Sequence, residues 1–193
     1  IAYRNTRQIS EFANSVLKHV APELPPSTPF PREGEAVRVD SFRTPEEEMT
    51  FVADAIRSSP FGSIGVLVPD ADALAPTAGS LRRAGIECGS GLGAGLEDPS
   101  VRATLLTAAE ARGVEYELVF VIGADELAYR TPAQGRALYV AATRALHQLF
   151  VTYVGVPSPF LGSRGDDGRG PQPGERAAET QTTVPLPAVR RPR

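Results

Sequence analysis

Two short apolar runs, IGVLV at Ile64–Val68 and LVFVI at 118–122, constrain the fold more than any other feature of the sequence. Each has the length of one strand and no polar alternation, so a strand there is buried on both faces. A sheet buried on both faces needs helices on both sides, and the segments around these runs supply them.

Residues 7–20 place Ile9, Phe12, Ala13, Val16, Leu17 and Val20 on one helical stripe, which Pro22, Pro25 and Pro26 end. Residues 36–42 alternate like a strand. Thr44, Pro45 and the acidic run 46–48 then give an N-cap, an N1 proline and a first turn that complements the helix dipole, for a helix to about Arg57. After the first buried run, a helix is expected over 70–84 with Gly85 as its C-cap. A glycine-rich connection at 89–95 leads to the strand-like VRATLLT, the second buried run, a helix near 133–146 and a last strand near 149–154. Strands alternating with helices predict an α/β fold: a mostly parallel sheet with helices on both faces and right-handed crossovers.

With 41% hydrophobic and 22% charged residues, the 193-residue chain has the makeup of one globular domain plus excess. The domain is expected to span 1–158. The stretch 159–193, rich in Gly, Pro and Arg and poor in large apolar residues, is expected to be a disordered tail. The first residue is Ile1, directly before a helical segment, so a fragment of a longer chain is expected. The formal net charge of −3 gives no global basic field for nucleic acid, so any such contact must be local. A single cysteine, Cys88, rules out an intramolecular disulfide and fits a reducing compartment, with the cytoplasm as the default. No apolar run approaches the roughly 20 residues of a membrane helix, and no membrane association is expected.

Three segments carry the candidate chemistry: AYRNT at 2–6, RGVEY at 112–116 and YVAATRA at 139–145. Tyr3 beside Arg4 offers a ring for base stacking and a guanidinium fork for phosphate oxygens, although a surface Tyr-Arg pair looks the same. Gly113 permits close backbone approach before a buried strand, and Glu115 offers acceptors for ribose hydroxyls; a simple turn is the alternative. Arg144 is expected near the C-terminal end of the last helix, with Leu138, Tyr139, Ala142 and Leu146 facing the sheet. Complementing the helix dipole is the commoner reason for such an arginine.

Together, in this order, the segments resemble motifs IV, V and VI of the UvrD/Rep-like superfamily 1 helicases, whose patterns run approximately N-Y-R-S/T, K-G-L-E-F and Y-V-A-x-T-R-A. The resemblance covers residues 1 to about 155 and implies the second RecA-like domain of a helicase-type ATPase. By that likeness Tyr3 stacks on adenine, Glu115 holds the ribose, Gly113 belongs to the same nucleotide-binding turn, and Arg4 and Arg144 contact the γ-phosphate. ATP with Mg2+ is the implied cofactor pair. No G-x-x-x-x-G-K-[ST] phosphate loop occurs in the sequence, so the first RecA-like domain of the parent chain is the implied partner and holds the metal, and this piece alone is expected to be inactive. No metal ligands are assigned here.

Arg112 stands where the family usually has lysine, and Ala109 where motif V often carries a histidine facing the DNA strand. Only about 105 residues separate Thr6 from Arg112, too few for the large inserted subdomain of UvrD and Rep. With TRALHQL at 143–149, the pattern resembles the HelD-type proteins most, which associate with bacterial RNA polymerase. The implied targets are therefore single-stranded or duplex DNA, or RNA polymerase. A catalytically silent RecA-like module that docks on RNA polymerase or nucleic acid is the alternative.

Other features carry less. GSGLGA at 89–94 fits a dinucleotide-binding pattern, but Gly95 and Pro99 interrupt any helix after it. His19 and His147 lack clustered carboxylates or thiols and read as surface or packing residues. Arg190, Arg191 and Arg193 are expected to be solvated.

Overall fold

The computed structural model describes residues 5–29, 31–91 and 100–162. Its elements are α1 (Arg7–Val20), β1 (Arg38–Phe42), α2 (Pro45–Ser58), β2 (Ile64–Val68), α3 (Leu74–Arg83), β3 (Glu87–Ser90), β4 (Val101–Thr107), β5 (Tyr116–Val121), α4 (Pro132–Ala142) and β6 (Ala145–Val154), with a closing 3-10 turn at Pro159–Leu161. The strands form one six-stranded sheet in the order β1-β6-β5-β2-β4-β3, and every pairing is parallel. This is the α/β architecture expected, of RecA type.

The buried runs do what their composition demands. β2 is buried at all five positions, and alternate residues feed two cores: Val66 and Val68 point to one, Leu67 to the other. Along β5, Leu118 and Phe120 join the first core while Val119 and Val121 join the second. Helices α2 and α3 close the first core with Val52, Ile56 and Leu81; α1 and α4 close the second with Ile9, Val16, Leu138 and Ala141. The crossovers through α2 and α3 run one way along the sheet and the crossover through α4 runs the other, so the topological switch lies between β5 and β2.

Local signals set several boundaries. Thr6, Thr44 and Thr131 each cap a helix, and Thr131 with Gln134 makes a full capping box. Gly85 takes φ 78° and ends α3, where its N–H donates to Arg82 O and the Ile86 N–H donates to Leu81 O. Helix α3 starts at Leu74, not at Asp70. Pro76 is tolerated only in a first turn, and the Asp70 carboxylate instead accepts the Ala73 N–H at 3.0 Å in a preceding turn.

Two expectations need correction. The last helix ends at Ala142 rather than 146, so Leu146 is a strand residue and Arg144 lies in the two-residue turn between α4 and β6. The sequence ATRALHQL holds no Gly or Pro to mark the change; the Tyr116 N–H reaching Arg144 O at 2.9 Å draws the chain into the parallel ladder. Secondly, packed structure continues past residue 158: Phe160 is buried against α4 beside Gly135. The remainder of the expected tail, 163–193, lies outside the described residues. So do 92–99; of the glycine-rich connection, Gly89 and Ser90 are ladder residues of β3. Among the described residues no helix is long and apolar enough to cross a membrane.

Candidate nucleotide half-site

Because β5 and β6 are parallel neighbours, the turns that enter them, 113–115 and 143–144, meet at the amino-terminal edge of the sheet. The structure thus brings Gly113, Glu115 and Arg144 together. Gly113 has φ 86°, a backbone that favours glycine, and the space where a Cβ would sit is open. Glu115 and Arg144 are both half-buried. Tyr3 and Arg4 lie outside the described residues, but the next residue, Asn5, is packed into this edge.

Among the described residues the Arg144 guanidinium donates to three neutral oxygens: Nε to Val140 O at 3.2 Å, Nη1 to Val114 O at 3.4 Å and Nη2 to Thr143 Oγ1 at 3.2 Å. The first of these bonds is the helix-end role anticipated for such an arginine, since Val140 carries a carbonyl of the last turn. All three are long. An anion offering charge-assisted bonds of about 2.8 Å competes well against them. Thr143 Oγ1 is itself held, donating to Val140 O at 2.7 Å.

Asn5 supplies a contact that no reading of the sequence revealed. Its Nδ2 donates to the carbonyls on either side of Arg144, to Thr143 O at 3.0 Å and to Ala145 O. The partners are 138 and 140 positions apart in sequence. The only local signal was an amide side chain between Arg4 and the N-cap Thr6.

The surroundings are polar. Glu117 accepts the N–H groups of Gly62 at 2.9 Å and Ser63 at 3.1 Å. His147 stacks parallel to Phe61 with ring centroids 5.8 Å apart and meets Arg32 Nη2 at 2.7 Å through Nδ1. Partial burial, and then the Arg32 charge, hold the imidazole below its ordinary pKa. This is a packing histidine, as its sequence setting indicated. His19 Nδ1 lies 2.8 Å from Ser15 O, one turn back on its own helix. Among the described residues no three His, Cys, Asp or Glu side chains gather as metal ligands. On the 108–113 turn Ala109 is exposed and presents a methyl group, and Arg112 is exposed beside Gly113.

The position of this site is itself informative. A parallel sheet ordinarily takes its own ligand at the carboxyl ends of its strands, near the switch point. The residues gathered here sit at the opposite edge.

No curated protein matches the sequence significantly. The crystal structure of the C-terminal domain of a possible DNA helicase from Lactobacillus plantarum WCFS1 superposes with a TM-score of 0.68 at 21% identity, over 83% of this chain and 92% of that one. An arterivirus nonstructural protein 10 (helicase), solved in complex with DNA, shares 14% identity over 79% of this chain and 33% of its own, with a TM-score of 0.45. Residues 102–152, from β4 through most of β6 and including Gly113, Glu115 and Arg144, match the family model of the UvrD-like helicase C-terminal domain.

Proposed function

We propose that this domain is the second motor half of a superfamily 1 helicase-type ATPase and supplies one wall of an ATP site. One observation carries the reading. Three segments distant in sequence, at 5, 113–115 and 143–145, converge by direct hydrogen bonds on one sheet edge, and they belong to the three segments whose sequences resemble helicase motifs IV, V and VI.

In this reading Arg144, with Arg4, stabilises the negative charge on the transferring γ-phosphoryl oxygens, an effect of orders of magnitude in rate. Tyr3 stacks on the adenine, the Glu115 carboxylate accepts from ribose hydroxyls, and Gly113 lets the backbone approach. Mg2+ and the phosphate loop belong to the first RecA-like domain of the parent protein. ATP bridges the two halves and favours the closed state; hydrolysis removes that bias, and the closing and opening move nucleic acid or a bound RNA polymerase.

A second reading is a silent docking module of the same fold. The turning of all three Arg144 nitrogens onto protein oxygens favours it, as does the absence of an imidazole at Ala109. ATP turnover by the full-length protein, alone and with single-stranded DNA or core RNA polymerase, separates the two. The motor reading predicts turnover that Arg144→Ala abolishes without unfolding the protein, and the more effective stimulator identifies the target. No turnover under any of these conditions establishes the docking module.

A further inference from the structure

We propose that Asn5 is the positioning residue that sets the direction of Arg144, by fixing the backbone on both sides of it. This rests on the ATP-site reading above. The argument begins with β6. Its ladder with β1 starts only at Phe150, paired with Arg38, and leaves 145–149 without a strand on that flank. Asn5 fills the first part of this gap. Its amide donates to Thr143 O and Ala145 O, while the carbonyl between them, Arg144 O, accepts from Tyr116 N on the β5 side at 2.9 Å. Three successive carbonyls around Arg144 are therefore fixed, two by Asn5 and one by β5. On the α4 side the Thr143 and Arg144 N–H groups donate to Tyr139 O and Ala141 O, both at 3.1 Å, whereas on the strand side β6 gains one residue on β5 directly after the turn, between the pairs Tyr116 with Ala145 and Leu118 with Gln148.

The Arg144 side chain is anchored by long bonds to neutral oxygens and is free to turn towards a phosphate. Its backbone is not. The amide therefore decides where the guanidinium reaches.

The test is a double-mutant cycle on ATP hydrolysis by the full-length protein. Asn5→Asp keeps the shape but at neutral pH replaces both donors by a carboxylate facing two carbonyls. It is expected to lower kcat by about ten- to a hundredfold, as misplacement of a catalytic group by about 1 Å does, while KM for ATP stays within about twofold. In the Arg144→Ala background the same change is expected to leave the residual single-turnover rate unchanged, because the group it positions is gone. Asn5→Ser, which keeps one donor, is expected to give an intermediate kcat and serves if Asn5→Asp fails to fold. Unchanged kcat in a folded Asn5 variant, or a loss fully additive with Arg144→Ala, overturns the proposal. If Arg144→Ala itself leaves turnover intact, the ATP-site reading fails; if Arg144→Ala abolishes turnover and the Asn5 variants do not reduce it, only the positioning role fails.

Discussion

Replacing Gly65 with alanine tests how tightly the sheet is built beneath the candidate site. Gly65 is the second residue of the fully buried β2, and a Cβ there would lie 2.6 Å from Tyr116 Cδ2, 2.9 Å from its Cγ and 3.0 Å from its Cε2. Ordinary carbon contacts are about 3.5–4.0 Å, so the ring must shift by about 1 Å. Three ring atoms crowd the same point, and Tyr116 is buried in the core under α1 and α4, so rotation alone gives no relief. Overpacking of this kind costs about 1–3 kcal/mol. Removing a strand glycine returns about 0.5–1 kcal/mol of backbone entropy. With three ring atoms crowding the Cβ the cost lies at the upper end, about 2–3 kcal/mol, so the net loss is about 1–2.5 kcal/mol, or about 2–10 °C in Tm for a domain of this size. Thermal and urea unfolding of Gly65→Ala measure it. In a Tyr116→Val background, which removes the ring, the penalty should disappear. A Gly65→Ala protein as stable as the parent, or a penalty that persists without the ring, refutes the packing argument.

Other predictions concern charge and capping. Glu48 is 4% exposed, and its carboxylate accepts from Gly123 N at 3.1 Å and from Thr152 Oγ1. Burial raises its pKa above the usual 4.5, more than these two hydrogen bonds lower it. The folded state therefore keeps a proton that the unfolded chain loses, and the Glu48 contribution to stability falls as pH rises from about 4.5 through the raised value. Glu48→Gln should flatten that slope in urea unfolding run between pH 5 and 8; an unchanged slope contradicts the assignment. Thr131→Ala removes the capping box of α4, the helix that delivers Arg144, and should cost about 1 kcal/mol in the same assay; a loss well under half of that means the cap is redundant.

The parts of the fold that the sequence disclosed were those written in local chemistry. Buried strands announce themselves by unbroken apolar runs, as at β2, and a capped helix by its Thr-Pro start, as at α2. The start of β6 was hidden because Leu146 continues the helical stripe of Leu138, Tyr139 and Ala142, whereas the bond from Tyr116 N to Arg144 O draws the chain into the ladder. The same reason hid Asn5. Its partners lie about 140 residues away, and no spacing rule brings an asparagine before α1 to the turn after α4. Motif resemblance singled out Gly113, Glu115 and Arg144, whereas their shared edge depends on strand order, which local pattern does not encode.

The central claim is that Arg144 acts on the transferring phosphoryl group. The direct measurement is the affinity of the full-length protein and its Arg144→Ala variant for ADP alone and for ADP with aluminium fluoride, which mimics the phosphoryl group in transit. The account predicts that the variant binds ADP as the parent does but loses about a thousandfold in affinity for the transition-state mimic. Equal affinity of both proteins for the mimic contradicts it.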